Sequence, residues 1–133
     1  MINEQSTPAP AADPGVRYEY LQVQATVTNS TNQDMTLLGS DLSWGKWIQS
    51  PVSTPHGSWS RFSSQGRESS PSGTEGSASW KIGEATIRVT FACPLHGSNS
   101  QSITCTPAGQ FNVTSQGTGG DVNRIVFVVE PVS

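Results

Sequence analysis

The chain predicts an all-β fold, a single-domain antiparallel β-sandwich, on three observations. Several short segments alternate strictly between apolar and polar residues, which is the period of a half-buried strand. Turn-forming residues recur at short intervals between those segments, and no stretch shows a helical period with caps. The composition agrees. The 133 residues suffice for one domain with a core. Hydrophobic residues make up 33% and charged residues only 13%, against a usual charged share of about 25%. Ser, Thr, Gly, Gln and Asn fill the difference, and hydroxyl and amide side chains suit the wet face of a sheet.

The elements follow in order. Residues 1–16 are Pro- and Ala-rich and read as a disordered tail ahead of a domain over residues 17–133. In residues 18–28, Leu21, Val23, Ala25 and Val27 alternate with Tyr20, Gln22, Gln24 and Thr26, a first strand that puts Tyr18 and Tyr20 on one face. The cluster from Asn29 to Asp34 is a turn, and Met35 to Leu38 returns as a second strand. Residues 39–76 read as a long irregular segment hiding short strands, with residues 61–63 as one candidate. Residues 77–82 and 85–92 flank Gly83-Glu84, a two-residue hairpin turn with Gly first. A loop over residues 94–100 leads to strands at 101–106 and 110–115. Residues 123–130 close the chain; Ile125, Val126, Phe127, Val128 and Val129 are apolar at both parities and predict a central strand covered on both faces.

Several function classes lack their residues. The net charge is −3 with seven scattered basic residues, so there is no basic patch for nucleic acid. No segment approaches the ~20 apolar residues of a membrane-crossing helix. The N-terminus has no basic and apolar signal pattern, so the expectation is synthesis in a cytoplasm and no glycosylation at Asn29 or Asn112. Neither a Gly-x-Ser-x-Gly elbow nor a phosphate-binding Gly-rich loop is present, and His56 and His96 lie in no catalytic pattern. The expectation is a non-enzyme with no cofactor and no metal.

Cys93 and Cys105 admit three readings. They lie equidistant from Asn99, so a hairpin turning there would set them opposite each other within disulfide reach. In a reducing cytoplasm they would be free thiols. Cys93, His96, Cys105 and His56 could also form a zinc set, although the second pair lacks close spacing.

Two groups of residues point to recognition. Trp44 and Trp47 flank Gly45-Lys46; at strand spacing they face opposite ways, so one packs and the other is exposed. An exposed indole suits a membrane–water interface, and Tyr20 could extend such a surface. The second group is the run Gly66-Arg67-Glu68-Ser69-Ser70-Pro71-Ser72-Gly73-Thr74-Glu75-Gly76, which has no aliphatic or aromatic residue. Its three glycines are expected to supply positive φ angles, and its order must come from turns and charge contacts.

Taken in order, these elements resemble the aegerolysins. The matching features are the alternating first strand; Ser43-Trp44-Gly45-Lys46; the loop from Gly66, Arg67 and Glu68 to Gly73, Glu75 and Gly76; Phe91-Ala92-Cys93-Pro94 followed by Gly97-Ser98-Asn99; and Phe111-Asn112-Val113-Thr114 before a Gly-rich turn and an apolar strand. The resemblance covers about residues 17–131 and is nearest to bacterial members of binary insecticidal toxins. It implies an aegerolysin-like sandwich that recognises sphingolipid- or sterol-containing membranes outside the producing cell. It also implies recruitment of a larger pore-forming partner, perforin-like (MACPF) or of β-trefoil type, and homo-oligomers within reach. A stand-alone haemolysin and a carbohydrate-binding module are the alternatives. The lipid-facing residues it implies are Trp44, Lys46, Trp47, Tyr20, Leu95, His96 and Asn99. Where the family loop after Cys-Pro often presents Trp and Lys, this chain has Leu95, His96 and Asn99. Arg67, Glu68 and Glu75 are expected to brace their loop.

Overall fold

A computed structural model describes residues 17–133; the expected tail lies outside the described residues. Nine strands form two sheets: β1 (Gln22–Asn29), β2 (Thr36–Trp44), β3 (Lys46–Gln49), β4 (Trp59–Gln65), β5 (Thr74–Ile82), β6 (Ala85–Cys93), β7 (Ser100–Thr106), β8 (Phe111–Gln116) and β9 (Val122–Pro131). The five-stranded sheet runs β3-β4-β1-β9-β8 and the four-stranded sheet β2-β5-β6-β7. Their inner faces enclose the core. The chain changes sheets four times, from β1 to β2, from β2 to β3 at Gly45, from β4 to β5 and from β7 to β8. The second and fourth of these join edge strands, one on each flank of the sandwich.

Alternation puts the core where it was expected. Leu21, Val23, Ala25 and Val27 are buried, as are Ala78, Trp80 and Ile82 from β5 and Ile87, Val89 and Phe91 from β6. Trp80 is fully buried, and its indole N–H donates to the Val52 carbonyl at 2.8 Å. Phe62 lies between Phe91 (ring centroids 5.0 Å apart) and Phe127 (6.3 Å), giving the aromatic centre on which the two sheets meet.

Four sequence expectations are corrected here. The sandwich is not antiparallel throughout, because β1 and β9 pair in parallel, Gln22 opposite Val122 through Asn29 opposite Val129. Strand β9 is central but covered on one face only: Ile125, Phe127 and Val129 are buried while Val126 is 46% exposed. Its outer valines belong to the wet face of the sheet beside Thr26 and Thr28. Tyr18 and Tyr20 do not share a strand face; they form a single 3-10 turn that buries Tyr18 and exposes Tyr20. The segment 39–76 is more regular than its composition suggests, since β2 runs on to Trp44 through two register shifts.

The hairpin register also decides between the cysteine readings. Phe91 pairs with Gln101 and Ala92 with Ser100, so the β6–β7 turn centres on His96 rather than Asn99. Cys105 therefore sits opposite Ile87, and both thiols are free. The zinc set does not assemble, and among the described residues no three His, Cys, Asp or Glu side chains gather as a metal site. His56 lies in the turn before β4, at the opposite end of the sandwich from His96.

Buried Cys93 donates its S–H to the Asp121 carbonyl at 3.3 Å. Desolvation by burial, against the lowering effect of backbone hydrogen bonds and with a smaller contribution from the Asp121 charge, raises its pKa above the ordinary 9.0. A thiol reagent on the native protein should therefore modify Cys105 first and reach Cys93 only on unfolding. The raised pKa means that the folded state holds a proton the unfolded chain has lost. Stability should fall as pH rises through and beyond 9.0, and this alkaline loss should be shallower in Cys93→Ala. Melting temperatures measured across that range for both proteins check the sign.

Candidate functional site: one loop end of the sandwich

The elements singled out in the sequence meet at one end of the molecule. The start of β1 lies beside the end of β4 and the start of β9, through Gln22–Gln65 and Gln22–Val122, and the end of β4 lies beside the start of β3 through Lys46–Gln65. In the other sheet, Trp44 pairs with Glu75, and Thr74 with Cys93. The Trp44–Lys46 crossing, the polar loop 66–73, the β6–β7 loop, the β8–β9 loop and the Tyr18–Tyr20 turn therefore share one rim.

Gly45 makes the crossing. It has φ +93°, and a Cβ there would strike the Gln65 carbonyl and the Thr74 hydroxyl. Beneath it, the fully buried Thr74 hydroxyl donates to Ser64 at 2.7 Å and more weakly to the Trp44 carbonyl at 3.3 Å. The crossing throws the two tryptophans apart. Trp44 is 52% exposed on the rim. Trp47 is half-buried and packs against the core through Phe62 (6.1 Å) and Phe91 (5.9 Å), so less of its indole faces solvent than that of Trp44.

Polar loop 66–73 joins β4 to β5. Only Gly73 of its family-marker glycines has a positive φ, +77°, with no room for a Cβ against the Cys93 carbonyl and Pro94. Gly66 and Gly76 correct the expectation of three positive φ angles; they are places of close backbone approach, against the Tyr18 and Asp41 carbonyls. Thr74, Glu75 and Gly76 belong to β5 rather than to the loop. Glu68 braces the loop through Arg17 at 3.0 Å, and Arg17 also reaches Glu19, which Lys46 contacts at 3.4 Å. These exposed pairs add little stability each, but they hold the 3-10 turn between loop and crossing and occupy the Lys46 ammonium. Arg67 has no ion-pair partner among the described residues, and neither does Glu75, so neither residue braces the loop by charge.

An open depression of about 630 Å³ lies between the β6–β7 and β8–β9 loops, with Tyr20, Leu95, Ser98, Asn99, Gly119 and Asp121 on its wall. Two asparagines build it. Asn99 donates to the Thr118 and Gly120 carbonyls at 2.8 and 3.0 Å, clamping one loop to the other. Fully buried Asn123 donates to the Ala92 and Ser100 carbonyls and accepts from the Thr118 N–H at 3.0 Å. Asn99 is thus a clamp as well as a wall residue, and Leu95 is half-buried against the core. His96 is exposed at the tip. Asn123, Ser64 and Thr74 were not found in the sequence, because a buried amide or hydroxyl looks like any solvated one until its distant partners are known.

The architecture has counterparts among solved structures. No family model matches the chain, and no curated protein matches it by sequence. Solved structures do. RahU, solved in complex with a TRIS molecule, superposes with TM-score 0.75 at 19% identity, over 86% of this chain and 98% of its own. IP-1A from Alcaligenes faecalis gives 0.73 at 24% identity, over 88% and 95%. Nakanori, described as a lipid binding protein, gives 0.72 at 13% identity, over 87% and 72%. These are aegerolysin-family structures, so the fold expected from the sequence resemblance is the fold found: an aegerolysin-like β-sandwich.

Proposed function

We propose that this protein recognises membrane lipid through the loop end and acts as the docking component of a two-component, insecticidal pore-forming toxin. The observation that carries the reading is convergence. An exposed indole (Trp44), an exposed phenol (Tyr20) and a polar depression walled by Leu95 and Asn99 stand on one rim braced from below. Aromatic side chains with a polar tip settle at the headgroup level of a bilayer, and a depression beside them suits a headgroup. The likeness to Nakanori, a lipid binding protein, supports the same reading.

Docking is shallow in this account. Among the described residues no helix is long and apolar enough to cross a membrane, and the nine strands all pair within the two sheets. Trp44 and Tyr20 insert at the interface; His96 and the depression meet the headgroup; pore formation falls to a larger perforin-like or β-trefoil partner. Co-sedimentation tests the first half, with vesicles of sphingomyelin and cholesterol or of ceramide phosphoethanolamine against phosphatidylcholine alone. Binding to the sphingolipid vesicles only is expected, and equal binding to all three would sink lipid recognition. Dye release tests the second half: leakage by this chain alone would refute the two-component version.

A further inference from the structure

A second site stands away from the loop end, on the outer face of the five-stranded sheet. A shallow groove of about 440 Å³ crosses β4, β1 and β9 and is walled by Gln24, Thr26, Gln49, Arg61, Arg124 and Val126. The register explains why these residues meet. Arg61 of β4 lies opposite Thr26, and Arg124 of β9 lies opposite Gln24, so two guanidiniums flank β1 from its two neighbours.

Both guanidiniums are held in place, and neither is neutralised. Arg61 stacks over the exposed Trp59 ring, 4.9 Å from its centroid. Arg124 donates to the Gln24 side-chain carbonyl at 2.6 Å, and the Gln24 amide donates in turn to Gln22 at 2.9 Å. Among the described residues neither arginine has a carboxylate within ion-pair distance. The chain carries net charge −3, so its overall field repels anions, and any anion held here is held by this local pair. Arginine presents a planar fork that matches a carboxylate or sulfate group. The remaining exposed walls are amides, hydroxyls and the Val126 methyls, over the buried positions Ala25, Phe62 and Ile125. Such a lining suits sugar hydroxyls and the C–H face of a sugar ring, and an open groove along a sheet suits a short linear chain.

We propose that this groove binds an acidic saccharide, a carboxylated or sulfated sugar whose anionic group sits between Arg61 and Arg124. The site is separate from the loop end and would let the protein engage a cell-surface glycan independently of lipid.

Titration calorimetry with a sulfated heparin disaccharide and with sialyllactose tests this, using lactose and sodium sulfate as controls. Saturable binding of an acidic sugar is expected, with lactose silent and sulfate alone at least about tenfold weaker. Arg61→Gln and Arg124→Gln should each weaken the sugar about tenfold or more, the scale of one lost charge-assisted contact. Arg88→Gln, on the outer face of the other sheet, should change nothing, and all three variants should bind sphingolipid vesicles like the parent protein. Failure of both acidic sugars to bind would overturn the proposal, as would undiminished sugar binding in the two groove variants or sulfate binding as tightly as the sugar. Arginine-dependent binding to phosphatidylserine vesicles without sugar binding would make the face an anionic-lipid surface and overturn it equally.

Discussion

Replacing Trp80 by Ala is expected to lower the unfolding free energy by about 3–5 kcal/mol. Trp80 is the largest fully buried side chain and lies in β5 between Leu37 of β2 and Ile87 of β6. Its removal forfeits apolar burial and leaves a cavity between the sheets. It also takes away the donor that binds the Val52 carbonyl and so ties the segment before β4 to the four-stranded sheet. Domains of this size have about 5–15 kcal/mol in total, so this one change removes about a fifth or more. Trp80→Phe keeps most of the burial and loses the hydrogen bond, and should cost about half as much or less. Urea titration of both variants checks the scale; a cost under about 1 kcal/mol for Trp80→Ala would contradict the described core.

The second large effect is functional. Trp44→Ala should weaken binding to sphingolipid vesicles by about tenfold to a hundredfold, from the 1.5–3 kcal/mol expected for burying a large apolar side chain. Stability should stay within about 0.5 kcal/mol, because Trp44 is half exposed on an edge strand. Trp59→Ala is the matched control. Trp59 is equally exposed, at 57%, but stands at the far end of β4 beside Thr28. Loss of lipid binding in that variant would move the docking surface off the loop end.

The parts legible in the sequence were those fixed by local pattern. Alternation placed the inward residues of β1 and β6, and Gly83-Glu84 marked a turn whose Gly83 has φ +57°. The unreadable parts depended on distant partners. Nothing in β1 or β9 says that the two pair in parallel, since pairing is a property of two segments far apart in the chain. The apolar run 125–129 looked doubly buried because a valine on a wet sheet face has the same letter as one in a core. Pro94 and Gly97 both admit a turn, so the centre of the β6–β7 hairpin, and with it the fate of Cys93 and Cys105, awaited the register. For the candidate site, residue types such as Trp44 and Tyr20 were visible, whereas their gathering on one rim was not. It follows from the two sheet crossings at that end, at Gly45 and through loop 66–73, and from the clamps at Asn99 and Asn123.

Depth-dependent quenching of tryptophan emission tests the central claim most directly, because the four tryptophans occupy distinct places: Trp44 on the loop end, Trp59 exposed at the far end, Trp47 packed and Trp80 buried. Vesicles of sphingomyelin and cholesterol doped with brominated phosphatidylcholine quench only indoles that enter the bilayer interface. Quenching of the parent protein is expected to persist in Trp59→Phe and to disappear in membrane-bound Trp44→Phe. Quenching that survives in Trp44→Phe and is lost in Trp59→Phe would contradict docking through the loop end.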